Sequence, residues 1–404
     1  MRTSSDTVEA LLPVRRKPAA IAETQAGDEI AARFHTKVRK AVRSFVTSSP
    51  RAADLANVFP AAAYVIASKS APLADIDKAT RLMLDGAPLR DVARTLGLPL
   101  WLRRLPPEAF RAALGPLPSS DMFTRRIANH LPVPAPESAF WLTSVAFAAK
   151  GCDEYFALWL AAQRIFTDQH RDPDRLFAVL AAYAWFSTAD RTRGNSLIVT
   201  PWRPEMAFDT AVCAAKSWLN RVRLTLQLRD GAVTDTWLIP GEVNGLSFQP
   251  LLTANDILAE SRAMQNCADQ YSDRVARDKC RLFSVRRRGV RVATLEIGPH
   301  AREPHMLAIN QLKARHNLPA ASEIWQTAHA WLATQPELRR TQPLSSPDRP
   351  LNAAAWTSLM QPYRASKDGA RWLPAKPTLE AFAILDDYMA DLARRGGVSS
   401  WLFT

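Results

Sequence analysis

Apolar positions recur every three or four residues through the first half of the chain. Phe34, Val38, Val42 and Phe45 follow that spacing, which puts them on one face of a helix. Further helices are expected between the punctuating prolines Pro60, Pro72, Pro88, Pro99, Pro106-Pro107, Pro132, Pro173 and Pro204. Pro136-Glu137, Pro173-Asp174 and Pro204-Glu205 read as helix starts, because proline suits the first turn and an acid suits the N-terminal dipole. Trp141, Trp159, Trp185 and Trp218 sit in alanine-rich helical surroundings and are expected to fill an all-helical core.

The period changes near Arg221. Val222, Leu224, Leu226 and Leu228 alternate with Arg223, Thr225, Gln227 and Arg229, the pattern of a half-buried strand. Asp230-Gly231 then signals a hairpin, with Val233 to Ile239 returning. A short extended piece follows around Leu246 to Leu252. Thr253 and Asp256 form a capping-box pattern that opens a helix expected to run to about Ala276. Leu282–Arg286, Val290–Ile297 and His305–Leu312 read as three strands, the first two joined by a tight turn at Arg287-Arg288-Gly289. Ala320 to Ala333 returns to helix, 335–351 is a Pro/Ser/Arg-rich linker, and the tail holds one helix from Thr378 to Arg394, stopped by Gly396-Gly397. The predicted fold is mainly α with an α+β domain: a helical N-terminal domain followed by a mixed, hairpin-rich sheet packed on helices. The expected boundaries are a mobile basic arm over 1–28, a helical domain over 29–218, an α+β domain over 219–335, and a linker with helical tail over 336–404.

Composition sharpens this picture. With 47% hydrophobic and 23% charged residues the chain reads as globular. No apolar run reaches the roughly 18 residues that span a bilayer, so no membrane role is expected. Arg15, Arg16 and Lys17 follow a mixed segment rather than precede an apolar one, which does not read as a secretory signal. Four cysteines in 404 residues suit a reduced, cytoplasmic setting better than a disulfide framework. Prolines outnumber glycines 29 to 14, which favours short helices with stiff joints over a Gly-rich nucleotide fold.

Charge adds a function. The net +13 is concentrated in two places. The first 51 residues carry 10 Lys/Arg against 5 Asp/Glu, and the segment 264–317 is the second basic region. Within it Arg281, Arg286, Arg287, Arg288 and Arg291 have no acid between them. Localised positive charge points to a polyanionic partner, and guanidinium groups pair bidentately with phosphate. A nucleic acid is therefore the expected partner, bound by these five arginines with Lys313 and Arg315 beyond the last strand. The other reading of the cluster is a solvated hairpin tip. Leu89 to Leu105 has the spacing of a helix-turn-helix, with Ala93 and Gly97 correctly separated. Its second helix carries Leu100, Trp101, Leu102 and Leu105 and meets Pro106-Pro107, which suits a core more readily than a major groove; DNA reading there is the other reading. The Ala/Trp-rich helical domain also offers a surface for a protein partner.

Polar residues interrupt the same 54-residue stretch at regular spacing. Met264, Cys267 and Tyr271 would share a helical face, Ser284 would share a strand face with Arg286, and Thr294 with Glu296. Gln311 would lie on the face of Leu307 and Ile309. This set is either a hydrogen-bond network fixing the sheet on the helix, or an enzyme pocket in which Cys267, Tyr271, Ser284, Glu296 and Gln311 carry catalysis. A nucleophilic Cys267 would need a base such as His305 or His316. Cys267, Cys280, His300 and His305 lack the paired spacing of a zinc site, so neither metal nor cofactor is expected. Glu296 has no partner carboxylate evident in the sequence.

The motifs Met264-Gln265-Asn266-Cys267-Ala268-Asp269-Gln270-Tyr271, Ser284-Val285-Arg286, Thr294-Leu295-Glu296 and Gln311 through Asn317 together resemble the PcfJ-like family. That family's pattern has a His-Cys pair with a tyrosine shortly after, then Ser-x-Arg, Thr-x-Glu and Gln-x-x-Gly-x-x-Asn. The resemblance covers about 55 residues closely. Asn266 stands where histidine is common and Ala314 where glycine is common, so a role for that histidine does not carry over. The resemblance implies an association with conjugative plasmids and other mobile elements, and no particular reaction.

Overall fold

The computed structural model describes residues 18–132, 135–163, 165, 172–228, 233, 235–340, 350–367 and 370–398. The chain falls into two compact units, Met1–Ala146 with Phe166–Gln169, and Phe147–Ile165 with His170–Thr404. The first is helical. Residues 18–28 of the expected mobile arm belong to the helix Pro18–Ala32. Its Ala31 is buried, and Asp28 pairs with Arg43 at 2.6 Å, which gives this segment a packing surface that its weak periodicity did not reveal. Arg15, Arg16 and Lys17 lie outside the described residues. Phe34 and Val42 are in the core, as their spacing predicts. The helix-turn-helix pattern resolves into Leu89–Thr95 and a five-residue 3-10 helix, Leu100–Arg104. Trp101 and Leu102 are buried, and the Trp101 indole N–H donates to the Pro118 carbonyl at 3.0 Å. That segment is core.

In the second unit the helix Phe208–Gln227 is the central element, so the strand expected from Val222 to Leu228 is corrected to helix. Positions two apart lie on opposite sides of a helix. This helix packs against Ala178–Thr188, Ala353–Ser366, Leu379–Arg395 and Ala254–Met264. Val222, Leu224, Leu226 and Leu228 are therefore all buried. The intervening polar residues find partners: Arg223 and Lys216 both reach Asp386, the latter at 2.5 Å, and Gln227 donates to Asp273 at 2.8 Å. The expected boundary at 218/219 falls inside this helix. Asp230-Gly231 lies outside the described residues, and the described part of 233–239 forms no strand. Pro204-Glu205 sits in a turn rather than at a helix start. The described part of the tail holds the helix Ala353–Ser366 besides the expected one, Leu379–Arg395, which begins at its Thr378 cap. Among the described residues no helix is long and apolar enough to cross a membrane.

The sheet is an antiparallel meander in the order β1 (Gly241–Val243), β2 (Leu246–Pro250), β3 (Arg281–Arg287), β4 (Val290–Pro299) and β5 (Leu307–Lys313). The three expected strands are present. One face carries Phe283, Val285, Ala293, Leu295 and Leu312 against Ile324, Ala328 and Trp331 of the helix Ser322–Ala333. The Trp331 ring stacks on Phe248 at 4.4 Å and takes the edge of Phe283 at 5.2 Å. At the β3–β4 turn, Arg288 (φ 48°) and Gly289 (φ 80°) both have positive φ, the primed geometry whose twist suits a two-residue hairpin.

Candidate functional site

The sheet face opposite Trp331 is where the polar residues gather. The Thr253–Asp256 capping box opens the helix Ala254–Met264, which stops at Gln265 (φ 50°) rather than running on to Ala276. The chain turns there, and the Ser261 hydroxyl holds the Asn266 carbonyl at 2.7 Å. Cys267 and Tyr271 are thus not on one helix with Met264, yet the turn still delivers both to the sheet. The Asn266 amide donates to Thr294 Oγ1 at 2.8 Å and its oxygen accepts from the Ala268 N–H at 3.2 Å. The Thr294 hydroxyl donates in turn to Glu260 Oε1 at 2.8 Å, and Glu260 Oε2 pairs with Arg291 at 2.8 Å. Glu260 is wholly buried, so each of its bonds is needed to offset the loss of water.

A second carboxylate lies alongside. Glu296 is buried, accepts from the Tyr271 hydroxyl at 3.0 Å, and is bound by Arg274, whose guanidinium lies 5.1 Å over the Tyr271 ring. Burial, then the neighbouring Glu296 charge, raises the Tyr271 phenol above its ordinary value. Asn317 (φ 58°) accepts from the Cys267 backbone N–H at 3.4 Å and from its thiol at 3.5 Å. Cys267, Tyr271, Glu296 and Asn317, with Asn266, Thr294, Gln311 and Lys313, line a pocket of about 20 Å³, room for about one water-sized group.

Gln311 reaches this pocket because of a bulge. Ile297 pairs with Ile309 but Glu296 pairs with Gln311, so Asn310 is an extra residue and the side-chain alternation flips. The expectation that Gln311 shares the face of Leu307 and Ile309 is therefore corrected. Cys267, Tyr271, Glu296 and Gln311 come together, while Ser284 does not line the pocket. It is fully buried, with its hydroxyl accepting from Arg286 at 3.1 Å. Neither His305 nor His316 lines the pocket beside Cys267. Among the described residues no group of His, Cys, Asp or Glu is arranged to hold a metal ion. Glu260 and Arg274 were missed in the sequence. Glu260 sits on the core face of its helix with Ile257 and Met264, and a charged residue at such a position is the legible signal.

Burial, reinforced by Asp269, pushes the Cys267 thiol up, and burial takes Cys280 up to about 12. Both are protonated and poorly nucleophilic near neutrality. Reaction of Cys267 with a disulfide reagent is therefore expected to be slow at pH 7 and to keep accelerating beyond pH 9, in a stopped-flow series against a Cys267→Ser variant. Rapid labelling at pH 7 would show an activated thiol instead.

The arginine cluster divides. Arg281 is a core residue: it donates to the Asp235 carbonyl and to Asp278, both at 2.6 Å, and lies 4.3 Å over the Trp237 ring. Arg291 is committed to Glu260. Arg286 is half-buried, Arg287 makes an exposed pair with Glu323 at 2.7 Å, and Arg288 stands exposed at the turn. Lys313 is half-buried and Arg315 exposed just past β5.

Comparison with protein-family models, curated proteins and solved structures finds no match. The site is thus characterised by its own geometry.

Proposed function

We propose that this chain is a nucleic-acid-associated accessory protein of the PcfJ-like type, acting in the cytoplasm and gripping phosphate backbone with one end of its sheet. The observation that supports this reading is topological. In an antiparallel meander the β3–β4 turn and the C-terminal end of β5 point the same way. The C-terminal end of β5 therefore runs toward Arg286, Arg287 and Arg288, with Lys313 opposite Thr294, four residues along β4 from Val290, and Arg315 beyond it. The Arg287–Glu323 contact ties the turn to the start of the helix that follows β5. An exposed ion pair of that kind contributes only about 0–1 kcal/mol, so Arg287 is readily released to a phosphate. Arg281 and Arg291 support the fold and are left out of the binding group. The four thiols, all free, suit the reducing interior proposed.

Fluorescence anisotropy with labelled single- and double-stranded DNA and RNA tests the proposal. An Arg286/Arg287/Arg288→Ala variant is expected to bind about tenfold more weakly or worse at moderate salt, uniformly across sequences, because phosphate contacts carry no base information. Unchanged affinity in the variant would remove the hairpin from the interface.

A further inference from the structure

The helix Leu379–Arg395 buries Phe382, Leu385, Met389 and Leu392 but leaves Ile384 51% exposed. Ile384 opens onto a groove of about 290 Å³ that Ala178, Trp372, Pro374, Ala381 and Tyr388 also line. Among the described residues Arg175 is the only charge in that lining, and its guanidinium already donates to the Tyr388 hydroxyl at 3.4 Å. The walls are otherwise apolar or aromatic, so an occupant gains by burying apolar surface rather than by pairing charge. Ile384 and Tyr388 stand one helical turn apart on one side of the helix, with about 6 Å between them.

The same helix stops in a Schellman motif. The Val398 N–H donates to the Ala393 carbonyl at 2.9 Å and the Gly397 N–H to the Arg394 carbonyl at 3.2 Å, with Gly397 at φ 66°. The chain turns off the helix axis there, next to Arg395, which by helical period lies on the side of Ile384 and Tyr388. The sequence then reads Ser399-Ser400-Trp401-Leu402-Phe403-Thr404. We propose that this segment folds back along the helix and seats Trp401 and Phe403 in the groove. The reach fits. Tyr388 lies about 10 Å back from Arg395 along the helix and Ile384 about 16 Å. An extended chain gains about 3.3 Å per residue, which carries Trp401 about 10 Å and Phe403 about 16 Å from Val398. Residues two apart in an extended segment point to the same side, so both aromatics face the helix, at a spacing of about 6.6 Å that matches Ile384 and Tyr388. Two aromatic side chains are a large apolar area to leave in water, and the groove covers them and Ile384 together. The proposal stands apart from the nucleic-acid reading.

The test uses the full chain and a fluorescein-labelled peptide with the sequence of Gly396 to Thr404. A Trp401→Ser/Phe403→Ser variant empties the groove and is expected to bind the peptide saturably below about a millimolar, the effective concentration at which a segment on a short linker competes. The parent is expected to bind it about tenfold more weakly or worse, because its own segment is already seated. Adding Ile384→Glu to the variant is expected to abolish peptide binding. Ile384 is half exposed, so the fold should tolerate that change; if the helical circular-dichroism signal falls, Ile384→Ala takes its place, with a loss of several-fold expected. No saturable binding by the variant overturns the proposal, as does equal binding by parent and variant, or binding that ignores both Ile384 substitutions. Sedimentation of the parent decides whose segment is seated. A monomer at all concentrations agrees with the proposal. A dimer that the Trp401→Ser/Phe403→Ser substitutions dissolve would assign the groove to the segment of a second copy and overturn the intramolecular contact.

Discussion

Trp331→Ala is expected to cost about 3–5 kcal/mol and to unfold the sheet-bearing unit under conditions where the native chain is intact. Trp331 is 1% exposed and fills the space between the sheet and its own helix, stacked at 4° on Phe248 and edge-on to Phe283. Removing the indole takes away both ring partners at once and leaves a void that β2 and β3 cannot close without breaking register. Trp331→Phe is expected to be milder than its volume loss implies. The buried Trp331 Nε1 has no hydrogen-bond partner, and deleting an unsatisfied N–H removes a desolvation cost. Urea unfolding followed by circular dichroism measures both. A Trp331→Ala midpoint indistinguishable from the parent would mean that this contact does not hold the sheet to the helix.

Arg221→Ala is expected to lose about 3–5 kcal/mol at neutral pH, because it strands a buried charge. Arg221 and Asp269 are 9% and 4% exposed, 2.8 Å apart, and Arg221 also donates to the Leu197 carbonyl at 3.2 Å. Burial pushes the Asp269 carboxyl above its ordinary range even with Arg221 opposing. Without Arg221 it rises further. A carboxyl whose folded pKa is raised binds its proton more readily folded than unfolded, so stability is gained as pH falls through that folded value. The deficit of Arg221→Ala relative to the parent should therefore be greatest near neutrality and shrink on acidification. Arg221→Met combined with Asp269→Asn should lie closer to the parent than Arg221→Ala, since a pair removed together leaves no orphan charge. A deficit that does not change with pH would show that lost packing, rather than the stranded carboxylate, dominates.

The strands β3 and β4 were legible because each has one face on an apolar core and the other largely on polar groups, so a period of two survives in the sequence, and β5 keeps it only up to its bulge at Asn310. The Thr253–Asp256 cap was legible for a local reason, since both of its bonds span three residues. Phe208–Gln227 was misread for a tertiary reason. A helix enclosed on both sides buries residues two apart, and its Arg and Gln positions are paired rather than solvated. The pocket was half legible. Cys267, Tyr271 and Glu296 were found from their spacing, although the helix expected to carry Cys267 and Tyr271 ends at Gln265. Gln311 was placed on the wrong face because an inserted residue, Asn310, leaves no mark in a hydrophobic pattern. Arg281 looked like a surface cation because its partners, the Asp235 carbonyl and the Trp237 ring, lie more than 40 residues upstream by sequence and were read there as strand.

The central claim is that the β3–β4 turn and the end of β5 form one phosphate-binding surface. The most direct measurement is the salt dependence of nucleic-acid affinity for the parent, for Arg286/Arg287/Arg288→Ala, and for Lys313→Gln with Arg315→Ala. If all five cations neutralise duplex phosphates, log K falls against log salt with a slope of about −4 or steeper. The first variant then loses about 3 from that slope and the second about 2, each roughly one per contact removed. A parent slope near zero, or one that both variants leave unchanged, would contradict the account and assign the charge at this end of the sheet to another purpose.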